Sequence, residues 1–124
     1  MARALILFAH GARDPGWVEP FERLATRVRT IAAGHEVRLA FLELMQPDIG
    51  AAVAELVAGG ATEISVAPVF LGRGGHIRRD LPVLVEALRA RHPGVRIDLA
   101  KPAGEDDVVL DAIAAYCAGR LQDR

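Results

Sequence analysis

At 124 residues with one cysteine, the chain has the size of a single domain with one core, and neither a disulfide framework nor a thiolate metal cluster is open to it. It is 52% hydrophobic, yet no apolar run nears the roughly 20 residues of a bilayer span, and Met-Ala-Arg-Ala leads straight into a strand pattern, so a soluble, untargeted, cytoplasmic protein is expected. A formal net charge of -1 gives no global attraction to nucleic acid, and no basic-plus-aromatic pattern suits a single-strand binder; nucleic acid and membrane are both excluded as expected partners.

Ala4-Leu-Ile-Leu-Phe-Ala9 is a continuous apolar run, which suits a strand covered on both faces. A helix is predicted from about Val18 to Ala33, with Phe21, Leu24, Val28 and Ile31 on one face and Gly34 ending it. Val37 to Leu42 reads as the second strand. Pro47-Asp48 then opens a second helix with the stripe Ile49, Val53, Leu56 and Val57, closed by Gly59-Gly60. Glu63 to Val69 is the third strand, followed by a glycine-rich loop.

The third helix is expected from about Leu81 to Arg91, with Asp80 as N-cap, Pro82 in the first turn and Leu81, Leu84, Val85 and Leu88 inward. Val95 to Ala100 is the fourth strand. The last helix runs from Asp107 to about Arg120, with Val109, Ile113, Tyr116 and Cys117 inward and the cysteine as a small core residue. The order βαβαβαβα with short connections predicts one α/β domain over residues 1–124, a four-stranded parallel sheet flanked by helices with right-handed crossovers.

In such a sheet, loops at the carboxyl ends of the strands face the crevice where ligands bind. His10, in Ala-His-Gly-Ala-Arg, follows the first strand; it is either a functional imidazole or one satisfied by a backbone carbonyl. His76 follows Gly72, Gly74 and Gly75, which allow close backbone approach to a ligand, and the loop is anchored by the helix that follows it. Glu43 continues the face shared by Val37, Leu39 and Phe41. It either enters the crevice as a carboxylate or sits in solvent before the next helix.

Two imidazoles and a carboxylate from three strand ends suit a borderline divalent metal with open coordination positions. Arg13, Arg73, Arg78 and Arg79 fall close to the two histidines, so a chain neutral overall is basic locally. His35, beside Gly34, and His92, in a turn sequence before Pro93-Gly94, are expected at the surface. Trp17 is expected to shape the loop after His10.

Gly72-Arg-Gly-Gly lacks the Gly-Lys-Ser/Thr ending of a phosphate-binding loop, and no Gly-x-Gly-x-x-Gly follows the first strand, so neither ATP nor a dinucleotide is implied. A receiver domain would need acidic residues where His10 stands. A histidine phosphatase would place Arg where Ala9 stands.

At His10-Gly-Ala-Arg, at Phe41-Leu-Glu-Leu with Pro47, and at Gly74-Gly-His-Ile-Arg-Arg-Asp-Leu-Pro82, the chain resembles the short form of the CbiX/SirB family, the class II chelatases that act on sirohydrochlorin. The likeness extends from Leu5 to Lys101-Pro102-Ala-Gly104. It implies a chelatase-like, flavodoxin-like fold and ATP-independent insertion of a divalent metal, Co2+ first and Fe2+ or Ni2+ as alternatives, into a tetrapyrrole, with no permanently bound cofactor.

The resemblance also implies His10 and His76 as the catalytic pair, Glu43 as their acidic companion at the metal, and Arg13, Arg73, Gly74, Gly75, Arg78 and Arg79 as the binding surface for a carboxylate-rich ring. Ala12 stands where the family usually has Ser. Larger members clamp the ring between two similar domains, and this chain resembles one of them, which implies a homodimer. A non-catalytic tetrapyrrole or metal carrier using the same face, or a plain α/β interaction domain, would be the reading of another class.

Overall fold

A computed structural model describes residues 2–72 and 74–122, the side chain of His76 excepted. Four strands, β1 (Ala2–Ala9), β2 (Glu36–Phe41), β3 (Ala61–Pro68) and β4 (Arg96–Leu99), alternate with four helices, α1 (Glu19–Ile31), α2 (Ile49–Ala58), α3 (Gly75–Arg91) and α4 (Asp107–Ala118). The strands form one parallel sheet in the order β2-β1-β3-β4. β1 is therefore flanked on both sides by other strands and covered on both faces, which is why its apolar run is continuous.

Alternation along β1 divides two cores. Ala4, Ile6 and Phe8 face α2 and α3, together with Ile64, Val66 and Ile97, while Leu5 and Leu7 face α1 with Val37 and Leu39. Phe8 is fully buried in the larger core. Phe8→Ala should cost about 3–5 kcal/mol of unfolding free energy, read by urea denaturation, because the lost contacts leave a cavity that a rigid sheet closes poorly.

The helix boundaries follow local chemistry. The Asp48 side chain accepts from Ala51 N at 2.8 Å and caps α2, which buries Ile49, Ala52, Val53 and Leu56. Gly34, at φ 92, turns the chain from α1 into β2. Arg38 binds Glu55 at 3.1 Å and Glu36 at 2.6 Å, which ties β2 to α2; the hydrogen bond to Glu55, then that to Glu36, raises the guanidinium's pKa further.

Four expectations need correction. The third helix starts at Gly75 with Gly74 at the cap position, not at Leu81 with Asp80, because Arg78 N already bonds the Gly74 carbonyl at 3.0 Å. Pro82 is thus inside the helix, where it supplies no N–H to Arg78. Burial of Ile77 and Leu81, both on the turns before Pro82, offsets the loss.

Ile31, the last residue of α1, is 86% exposed; Ala25 is the residue α1 buries fully. The largest departure is α4. None of its residues is buried, and Tyr116 and Cys117 are exposed where the periodicity had turned them inward. His92 differs more mildly: it caps the end of α3, and its Nε2 is buried with no hydrogen-bond partner among the described residues.

Candidate functional site

The parallel ladder continues past the ends of the strands and fastens three loops to one another. Val69 N donates to the Phe8 carbonyl at 2.7 Å, Leu42 N to Ala9 at 2.9 Å, and Glu43 N to His10 at 3.2 Å. His10 and Glu43 are thereby held at adjacent strand ends, both exposed. The strand phase of β2 stops at Phe41, so Glu43 stands beyond the sheet in an irregular segment rather than on a strand face. That segment includes Leu44 at φ 67 and a cis Gln46-Pro47 bond.

Gly11 makes this fastening possible. Its φ is +94, and a Cβ there would overlap the Glu43 carbonyl oxygen. Only a residue without a side chain lets the His10 loop lie this close to the Glu43 backbone.

The third loop is fixed in a comparable way. The Phe70 ring meets the His10 ring edge-on, 6.0 Å between centroids at 72°. Gly104 N donates to the Phe70 carbonyl at 3.0 Å, and a Cβ on Gly104 would overlap the backbone of Leu71. Neither Phe70 nor Gly104 was singled out by sequence reasoning.

Beyond this loop α3 begins. Gly74 and Gly75 form its start, with Arg79 Nη1 lying 3.7 Å from where a Gly75 Cβ would be, and Arg78 and Arg79 are exposed on its first turns. The backbone of His76 belongs to the first turn of the helix, not to a loop. Arg73 and the side chain of His76 lie outside the described residues, so the expected ligand set of His10, Glu43 and His76 is represented by two side chains. Among the described residues no group of three His, Cys, Asp or Glu is close enough to hold a metal ion.

Arg13 is exposed in the loop after His10. Trp17 turns away to stack on Phe21 at 4.5 Å and approach Phe41 at 6.4 Å, so it shapes that loop from beneath. A groove of about 450 Å3 runs between Glu43 and α3, with Leu42, Ile77, Val83 and Leu84 in its walls and Asp80 on its rim. Val83 is 70% exposed. An apolar residue off the stripe Leu81, Leu84, Val85 and Leu88 was the signal that could have revealed this groove.

An α/β protein that gathers an imidazole, a carboxylate and guanidinium groups at the carboxyl edge of a parallel sheet is built to hold a small polar ligand at that edge. The CbiX family model matches residues 4–118, and the chain belongs to that family. The sirohydrochlorin cobaltochelatase of Methanocaldococcus jannaschii is 30% identical, with the match covering 94% of this chain and 99% of that protein. The sirohydrochlorin ferrochelatase of Bacillus subtilis is 29% identical over 91% of this chain, which spans only 43% of that longer protein. A crystal structure of a putative cobalamin biosynthesis CbiX protein from Marinobacter aquaeolei superposes with a TM-score of 0.83 at 35% identity, covering 96% of this chain and 97% of the other.

Proposed function

We propose that the protein is a sirohydrochlorin cobaltochelatase, a lyase-class enzyme that inserts Co2+ into the tetrapyrrole without ATP on the way to cobalamin. The observation that carries this reading is the backbone fastening of His10 to Glu43, which keeps these two residues at adjacent strand ends on the edge where Gly74 and Gly75 start α3. The family and the names of its members supply the reaction class.

Insertion exchanges one divalent cation for two pyrrole protons, so charge balances if the site removes both protons as the metal enters. His10 contacts the metal and accepts one pyrrole proton as the metal passes to the ring, His76, its partner, accepts the other, and Glu43 assists in stripping water from the cation. Arg13, Arg73, Arg78 and Arg79, with the backbone of Gly74 and Gly75, receive the carboxylates at the ring's edge, for which guanidinium forks are suited. Metal and tetrapyrrole are both substrates, and no resident cofactor is required.

Residues 1–124 act as one chelatase-like domain, cytoplasmic and paired as a homodimer whose two strand-end edges enclose the ring. No helix among the described residues is long and apolar enough to cross a membrane. The B. subtilis relative favours iron as a second reading for the metal. Anaerobic metallation of sirohydrochlorin with Co2+, Fe2+ and Ni2+, followed by the shift of its absorption spectrum, tests both. Repeated turnover fastest with Co2+ is expected; stoichiometric binding without turnover would make the protein a carrier.

A further inference from the structure

Most of the large apolar side chains exposed among the described residues belong to α4 and the turn after it. Leu44 and Leu71 do not: they stand at the strand-end edge, 58% and 62% exposed. Leu44 follows Glu43, and Leu71 follows Phe70. Because the sheet order is β2-β1-β3, the loops that carry them lie on either side of the His10 loop, about 10 Å apart at two strand spacings.

A single exposed leucine is ordinary, but a pair held out by the backbone at a ligand edge is not. Leu44 has φ 67, and among the described residues it is the one non-glycine residue in the left-handed region. Its β-carbon is crowded there, so the conformation costs free energy that Gly or Asn would avoid. Leu71 is fixed differently. Gly104 packs so closely that a Cβ on it would overlap the Leu71 carbonyl, and Gly104 N holds the preceding carbonyl, that of Phe70, at 3.0 Å. The main chain of Leu71 is covered while its side chain is left in solvent.

Between the two leucines lie Gly11, which has no side chain, and His10, whose ring meets Phe70 edge-on at 6.0 Å. Cations stand nearby: Arg13 is exposed in the His10 loop, and Arg78 and Arg79 are exposed on the first turns of α3. The edge thus presents an imidazole flanked by two apolar side chains, with guanidinium groups outside them.

That distribution fits a flat amphiphile, apolar in the middle and anionic at the rim. A nucleotide, a sugar or a small acid would leave both leucines in water. A tetrapyrrole carrying carboxylates on its periphery covers them, because the carbon core of the ring is comparable in width to the gap between the two loops.

We propose that Leu44 and Leu71 form the apolar seat of the ring, their side chains packed against one face of the macrocycle on either side of His10. This rests on the tetrapyrrole substrate proposed above and names the side chains that carry its apolar part. The arginines bind the rim through long, rotatable stems, whereas two short side chains on a fixed backbone give the ring a defined resting place. The contact is the same before and during metal insertion, so it contributes affinity for the ring rather than turnover.

The protein, isotope-labelled at its leucine methyl groups, is titrated with metal-free sirohydrochlorin and followed by NMR. Signals are assigned by their loss in Leu44→Ala and Leu71→Ala, both shown by circular dichroism to be folded. The ring current moves a methyl over the face of the macrocycle upfield and one beside its edge downfield. Upfield movement of the Leu44 and Leu71 methyls is expected, with those of the buried Leu7 and Leu56 unmoved. Each alanine variant should weaken ring binding about 5- to 30-fold by fluorescence titration, with kcat at saturating ring near that of the wild type. Ile31→Ala, which removes an exposed apolar side chain at the other edge of the sheet, should leave the affinity unchanged.

Ring binding with the two leucines' signals unmoved, or moved downfield, overturns the seat and leaves the substrate standing. Alanine variants that keep the affinity but sediment as smaller species than the wild type would mean that the leucines meet a second copy of the chain, which also overturns it. A wild type that does not bind the metal-free ring overturns the substrate and the seat together.

Discussion

His10→Ala is expected to lower the turnover of Co2+ insertion by a factor of about 10² to 10⁴, the usual loss when a positioned proton acceptor is removed. Ring affinity should change far less, because in the proposed site Arg13, Arg73, Arg78 and Arg79 hold the carboxylates at its edge. Initial rates of the absorbance change give the first quantity, and fluorescence titration with metal-free sirohydrochlorin gives the second. His76→Ala should show the same split. If both variants turned over at the wild-type rate, the imidazoles would have no part in the reaction.

Glu43→Gln separates the metal from the protons in this scheme. The amide keeps the shape and the backbone bond to His10 but loses the charge that competes with water for the cation. Its effect should therefore be a raised KM for Co2+, with a smaller change in kcat.

Gly11→Ala is the substitution expected to cost the fold most per atom added. A non-glycine residue held at φ +94 costs about 1–3 kcal/mol, and forcing the new methyl away from the Glu43 carbonyl costs about 1–3 more. Against a total stability of about 5–15 kcal/mol, this predicts a thermal midpoint lower by tens of degrees at the upper end, read by calorimetry.

Gly34→Ala and Gly60→Ala are the controls. Both residues have positive φ, 92 and 102, but a Cβ at either meets nothing within 4 Å, so only the backbone cost applies. Equal losses at Gly11 and Gly34 would mean that the close approach to Glu43 contributes nothing.

The strands were legible because burial on both faces leaves an unbroken apolar run, as in Leu5 to Phe8, and that signal does not depend on what covers each face. The start of α3 was not. Gly74 and Gly75 resemble a loop, Asp80 resembles a cap and Pro82 resembles a first-turn proline, so every local cue placed the boundary too late. What decides the matter is the burial of Ile77, which needs the sheet beneath it.

The periodicity of α4 was real, but periodicity says which residues share a face and is silent about the surface that meets it. His10 and His76 could be singled out from glycines and strand ends. The link through Gly11 to the carbonyl of residue 43 is a contact between backbones, and no side-chain pattern records it.

The central position of β1 has a consequence for synthesis. β1 leaves the ribosome before its partner β3, which ends at Pro68, so at about 5–20 residues per second Ile6, Leu7 and Phe8 wait roughly 3–12 s for that side of the sheet. During that interval the nascent chain carries its most apolar segment with one edge unpaired, and Arg3 before it and Arg13 after it are the charges that discourage premature association.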